Sequence, residues 1–99
     1  MILSVGCGGN KKYPHSSLGD VNIDLEFPVV EIRNFIRADA HFLPFRRKIF
    51  SEVRAIHVAE HLDDPLFFLR EAARVCNGKI LIVVPHFLSW SAYADSTRK

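Results

Sequence analysis

Val53-Arg54-Ala55-Ile56-His57-Val58, then Asp64-Pro65 running on to Cys76, then Lys79-Ile80-Leu81-Ile82-Val83-Val84 make up the stretch that decides the fold. Ile80 to Val84 has no polar alternation, the signature of a strand buried on both faces, as in a parallel sheet. Helices are expected to flank it. Pro65 to Cys76 supplies one: Asp64 can cap it, Pro65 brings a preset φ to its first position, and Gly78 sits just past its end, where a left-handed residue terminates a helix. Leu66, Leu69, Ala73 and Cys76 form an apolar stripe, with Arg70, Glu71 and Arg74 on the other side. Strand, helix and strand then make a βαβ unit, which closes with a right-handed crossover in nearly all proteins.

Working outward, Ile2 to Val5, Val21 to Leu25 and Phe35 to Asp39 are further short apolar runs bounded by Gly, Pro, Asn or Asp. With 53–58 and 79–84 they give five strands. Gly6, Gly8, Gly9, Pro14 and Gly19 break the segment between the first two, which reads as a long loop rather than a crossover helix. Ninety-nine residues, 48% hydrophobic and 24% charged, fit one domain over 1–99. The apolar run at 80–88 is interrupted by Pro85 and His86 and falls short of the roughly 20 residues of a membrane span. Cys7 and Cys76 give no disulfide or metal framework, and no signal peptide is evident, so a cytoplasmic setting is expected. A net charge of +2 with scattered basic residues does not indicate nucleic-acid binding.

Gly6-Cys7-Gly8-Gly9 follows the first strand directly, and glycines there let backbone N–H groups approach a ligand that a Cβ would hold away. Asp24 ends the second strand, where a carboxylate can accept from both hydroxyls of a ribose; it reads equally as a turn cap. Asp39, within Ala38-Asp39-Ala40, closes the third strand in the same way and suits an adenine amino group. Three strand ends of this kind point to one crevice at the carboxyl edge of a parallel sheet. No Gly-Lys-Ser/Thr follows the glycines, which excludes a P-loop, and Lys11 stands where a dinucleotide fingerprint needs its third glycine.

Leu3-Ser4-Val5-Gly6-Cys7-Gly8-Gly9, Val21-Asn22-Ile23-Asp24-Leu25, Ala38-Asp39-Ala40-His41-Phe42-Leu43-Pro44-Phe45, His57-Val58-Ala59-Glu60-His61-Leu62 and Val83-Val84-Pro85-His86 together resemble class I S-adenosylmethionine-dependent methyltransferases. The resemblance implies a Rossmann-like, mostly parallel five-stranded α/β sheet in the order 3-2-1-4-5, with few helices and with the C-terminal part of the usual fold absent. It implies S-adenosylmethionine as cofactor, held by Val5, Gly6, Cys7, Gly8, Asp24, Leu25, Asp39, Ala40 and His57, with no metal. Ser4 stands where many members carry an acidic residue, and Asn10 replaces a third glycine. Methyl transfer to an unidentified acceptor is the function so implied; a non-catalytic module that binds an adenosine ligand is the alternative.

His61 and His86 are the candidate proton acceptors beside the methyl group, although each reads first as a structural histidine satisfied locally, since positioning alone can serve methyl transfer. His57-Val58-Ala59-Glu60-His61 also fits H-x-x-E-H, an inverted zinc-peptidase pattern, but that pattern needs a helix and His57 belongs to a strand. Cys7 reads as a small buried side chain. Phe87, Trp90 and Tyr93, spaced by three, suit an amphipathic turn or a substrate wall. Finally, a fifth strand left at the sheet edge exposes unpaired backbone groups, which predicts a homodimer or complex burying that edge, unless the tail folds back over it within one chain.

Overall fold

The computed structural model describes residues 1–10, 18–84 and the backbone of 89–93. The elements are β1 (Ile2–Val5), β2 (Val21–Asp24), β3 (Phe35–Arg37), β4 (Phe50–Ile56), a 3₁₀ turn (Ala59–His61), α1 (Pro65–Val75), β5 (Cys76–Val83) and β6 (Ser89–Tyr93). They form one sheet in the order β3-β2-β1-β4-β5-β6. The first five strands pair in parallel, the 3-2-1-4-5 arrangement expected of a Rossmann-like fold.

β6 is an addition to the expected strands. It runs antiparallel to β5, from Val83↔Ser89 to Lys79↔Tyr93. The edge expected to seek a second chain is therefore paired by the chain itself, the alternative named above. This removes the argument for a partner strand at β5. Phe87 lies outside the described residues.

Register sorts the side chains. Leu3, Val5, Val21, Ile23, Val53, Ala55, Ile80 and Ile82 share one face through their pairings. Phe68, Ala72 and Val75 of α1 join most of them in a single core. The other face carries Ser4, Asn22, Lys79, Leu81 and an ion pair between Glu52 and Arg54. Apolar burial on one face thus does most of the stabilising. Here the expectation for β5 needs correction: Ile80 and Ile82 are buried, but Leu81 and Val83 are half-buried. A long apolar run does not by itself require cover on both faces.

The start of α1 follows the sequence. Asp64 Oδ1 accepts from Phe67 N at 3.1 Å, and Pro65 occupies the first turn, where a missing N–H costs nothing. Its end does not. Cys76 is already extended, with φ −106° and ψ 138°, and β5 begins at that residue without a loop. Gly78, expected to terminate the helix, lies inside β5, where a Cβ would collide with the carbonyl oxygen of Ser51. Its role is close approach between β4 and β5.

The buried stripe of the helix is also rotated from the expected one. Phe68, Ala72 and Val75 are buried, Leu69 is half-buried, Ala73 is exposed and Leu66 is 71% exposed. The spacing of four and three is kept, shifted so that the bulky Phe68 ring enters the core. No helix among the described residues is long and apolar enough to cross a membrane.

Phe68→Ala is expected to cost about 3–5 kcal/mol through lost burial and the cavity left behind, and Leu66→Ala to stay within about 0.5 kcal/mol. Urea unfolding midpoints of the two variants check this; similar midpoints would contradict the orientation of α1.

Candidate cofactor-binding site

The carboxyl ends of β1, β2, β3 and β4 meet where the chain order reverses, with β1 flanked by β2 on one side and β4 on the other. Such a switch point opens a crevice between diverging loops. Gly6, Gly8 and Gly9 leave β1 with φ of 69°, 74° and 80°, a left-handed course that only glycine takes without strain. A Cβ on Gly6 would strike the side chain of Val58, so this glycine also lets the loop after β4 pack close.

Asp24 ties this turn to β2. Its Oδ2 accepts from Gly8 N at 3.0 Å and its Oδ1 from Glu26 N at 3.0 Å. Cys7 N donates to Ile23 O at 2.9 Å and Val29 N to Gly9 O at 2.7 Å, so the segment after β2 also returns to the glycine turn. Ala38 N donates to Asp24 O at 3.0 Å, which brings Asp39 beside the end of β2.

Strand β4 ends one residue short of His57, which is exposed and takes a left-handed φ of 56°. A non-glycine residue there stores strain, and such positions cluster at functional sites. His57 N donates to Val83 O at 2.6 Å, which anchors the turn to β5.

The candidate residues therefore fall into two groups. Gly6, Gly8, Asp24, Asp39 and the His57-Val58 turn are brought together along one edge, with Leu25 exposed beside Asp24. Val5, Cys7 and Ala40 are buried, so their side chains belong to the protein interior and only their main chain is left for that edge. Burial, then the Asp24 charge, pushes the Cys7 thiol up to about 11, so it is uncharged at neutral pH. His61 is exposed on the 3₁₀ turn, with Nε2 3.6 Å from Glu60 Oε2 and its backbone N–H donating to Val58 O at 2.9 Å; His86 lies outside the described residues. His57 and His61 share no α-helix, and no described group of three or more His, Cys, Asp or Glu is placed to hold a metal ion.

A family model described as a methyltransferase domain matches residues 3–83. The chain belongs to that family. A search of curated proteins gives no match. Among solved structures, the YcgJ protein of Bacillus subtilis is similar at 24% identity and a TM-score of 0.65, over 82% of this chain and 42% of that one. A chain in the complex of the Haloferax volcanii methyltransferase activator Trm112 with a candidate methyltransferase is similar at 17% identity and a TM-score of 0.62, over 84% and 43%. These two likenesses are of fold, and the chain spans less than half the length of either.

In this methyltransferase domain the loop after β3 is held against α1 by groups expected to face solvent. Glu71 Oε1 accepts from Leu43 N at 2.8 Å. Arg74 binds Glu71 Oε2 at 2.8 Å and donates to Phe45 O at 2.7 Å and Leu43 O at 2.8 Å. The expected placement of Glu71 and Arg74 on the solvent side therefore needs correction: the one-residue rotation, about 100°, that buries Phe68 aims both at the loop. Leu43 then joins the core. The spacing of Glu71 and Arg74 is visible in the sequence; their partner, 28 residues away from Glu71, is not. His41, given no role above, accepts from Asp64 N through Nε2 at 3.1 Å and meets Asp39 Oδ1 through Nδ1 at 2.8 Å.

The Arg74 hydrogen bonds, with the Leu43 N–H, hold the Glu71 carboxyl below its ordinary 4.5. A carboxyl depressed in the folded state stabilises above its unfolded value, and that contribution is lost as pH falls through the folded value. The Leu43 amide is therefore expected to lose its hydrogen bond below pH 4.5, the ordinary value it must pass. An NMR pH titration of that amide proton checks this, and Glu71→Gln should flatten the titration. An unchanged profile in the variant would assign the effect to another group.

Proposed function

We propose that the chain binds S-adenosylmethionine at this edge and transfers its methyl group to an acceptor. The observation that carries the reading is Asp24, whose carboxylate closes the glycine turn onto the end of β2 at the switch point of a parallel sheet. A carboxylate offers about four acceptor positions. Two are taken by Gly8 and Glu26, leaving capacity for ribose hydroxyls. The residues fit the group in a second respect: among the described residues Asp39 Oδ2 takes no hydrogen bond, so it is an acceptor for the adenine amino group.

The remaining roles follow from placement. Gly6 and Gly8, with the main chain of Val5 and Cys7, receive the methionine end. Leu25 supplies apolar surface beside the ribose. Ala40 faces the adenine through its main chain, and the strained turn at His57 forms the opposite wall. When bound, S-adenosylmethionine supplies a methyl group made electrophilic by its sulfonium. The chain has to align an acceptor and keep water out, which is work of positioning rather than of metal or covalent chemistry. His61 and His86 are the groups assigned to accept a proton from the acceptor. Two buried thiols without a disulfide, Cys7 and Cys76, suit the reducing cytoplasm in which we place this activity.

Calorimetric titration with S-adenosylmethionine and S-adenosylhomocysteine tests the reading. Asp24→Asn is expected to weaken both by about ten- to a hundredfold, the loss of one or two charge-assisted hydrogen bonds. The variant keeps one acceptor oxygen for the loop, and its thermal midpoint verifies folding. Equal affinity in parent and folded variant would exclude the site. Release of S-adenosylhomocysteine in the presence of an acceptor separates an enzyme from a module that only binds.

A further inference from the structure

His41 is a half-buried side chain, 15% exposed, that belongs to neither a strand nor the helix, yet both of its ring nitrogens are engaged. Nε2 accepts the Asp64 N–H at 3.1 Å, so the arrangement assigns the ring proton to Nδ1. Nδ1 then donates to Asp39 Oδ1 at 2.8 Å, and His41 N donates to the same oxygen at 2.9 Å. One oxygen of Asp39 is thereby saturated with two donors from a single residue. The other takes no hydrogen bond among the described residues, and the Asp39 side chain is 40% exposed. The backbone N–H of His41 also holds the Asp39 carboxyl below its ordinary value, which keeps it an anion and an obligate acceptor.

We propose that His41 is a positioning residue for purine selection: by clamping Oδ1 of Asp39 it fixes Oδ2 as a pure acceptor, so that the pocket takes a 6-amino purine and rejects a 6-oxo purine. The inference rests on the cofactor reading above and adds to it what chooses the base. A freely rotating carboxylate would offer either oxygen in many directions and accept weakly from any donor. One oriented by two fixed donors presents a single direction, and that direction favours the amino group and repels a carbonyl oxygen. The link to Asp64 sets the plane of the imidazole. Asp64 is in turn fixed as the cap of α1, so the orientation of Asp39 is referred to the helix rather than to its own loop.

The test uses the whole 99-residue chain, S-adenosylhomocysteine and its 6-oxo analogue S-inosylhomocysteine, with calorimetry as the readout. The parent is expected to prefer the amino ligand by about tenfold or more, the worth of one charge-assisted hydrogen bond. His41→Asn places an amide donor near Nδ1 and keeps the clamp on Asp39, so it should retain most of that preference. His41→Gln places an acceptor near Nε2, keeps the Asp64 link and loses the side-chain half of the clamp while the backbone N–H remains, so its ratio of affinities should fall clearly below that of the parent and of His41→Asn. A merely structural role predicts the reverse order, and that order overturns the proposal, as does a ratio unchanged in both variants with near-ultraviolet circular dichroism intact. A parent that binds both ligands equally also overturns it while leaving the cofactor reading standing. A parent that binds neither sinks the cofactor reading itself, and the role of His41 with it.

Discussion

Strand β1 is hydrogen-bonded on both sides, to β2 and to β4, and its Leu3 and Val5 side chains are 0% and 1% exposed. Four residues cannot supply much energy alone, yet everything else is referred to them. β2 and β4 are parallel to β1, so their carboxyl ends open on the same edge. Because Leu3 and Val5 face the core, the register of both neighbours is forced: a slip of one residue would turn Val53, Ala55 and Ile23 away from α1 and bring charged side chains under it. The shared carboxyl edge exists because the hydrophobic register of β1 admits one alignment of its neighbours.

A second constraint is visible in how loops are fixed. Asp20 accepts from Ile2 N at 2.7 Å, Asp24 from Gly8 and Glu26, Asp39 from His41, Asp64 from Phe67, and Glu71 from Leu43. N–H groups in loops, and those at the first residue of a strand or in the first turn of a helix, are left over by regular pairing, and a carboxylate is the strongest acceptor a side chain can offer. Acidic residues thus do in the loops what backbone carbonyls do in the strands. The methyltransferase-domain site is built from the same device, since two of these carboxylates are also the ones proposed to meet a ligand. At Asp24 and Asp39 the groups that order the loops are thus the same groups offered to the proposed ligand.

What was legible in the sequence follows from whether a signal was local. Asp64-Pro65 announces the helix because capping is decided within three residues. β1 and β2 are bounded by glycines and aspartates that punctuate the chain, and parallel order follows from the βαβ unit. The rotation of α1 was not legible: Leu66, Leu69, Ala73 and Cys76 make as good a stripe as Phe68, Ala72 and Val75, and only the shape of the sheet beneath chooses between them. Gly78 satisfied a local rule and obeyed a distant one, the approach of Ser51. β6 did carry a signal, because Ser89-Trp90-Ser91-Ala92-Tyr93 alternates with period two, but the three-residue spacing of its aromatics points to a turn instead. Of the site, the glycines and the strand-end aspartates were legible by chemistry and position. His41 was not, since its importance lies in two contacts that no spacing encodes.

The direct passage of α1 into β5 at Cys76 has an evolutionary consequence. A loop at that joint would absorb inserted or deleted residues, as surface connections commonly do. Here one extra residue would turn the helix by about 100° relative to the sheet, or else move every β5 side chain to the opposite face. Either change empties the core. Length variation among descendants of this chain should therefore be rare between Phe68 and Ile82. It should collect instead in the segment between β2 and β3, where Glu26, Phe27, Val29 and Val30 are exposed and no strand or helix sets the spacing.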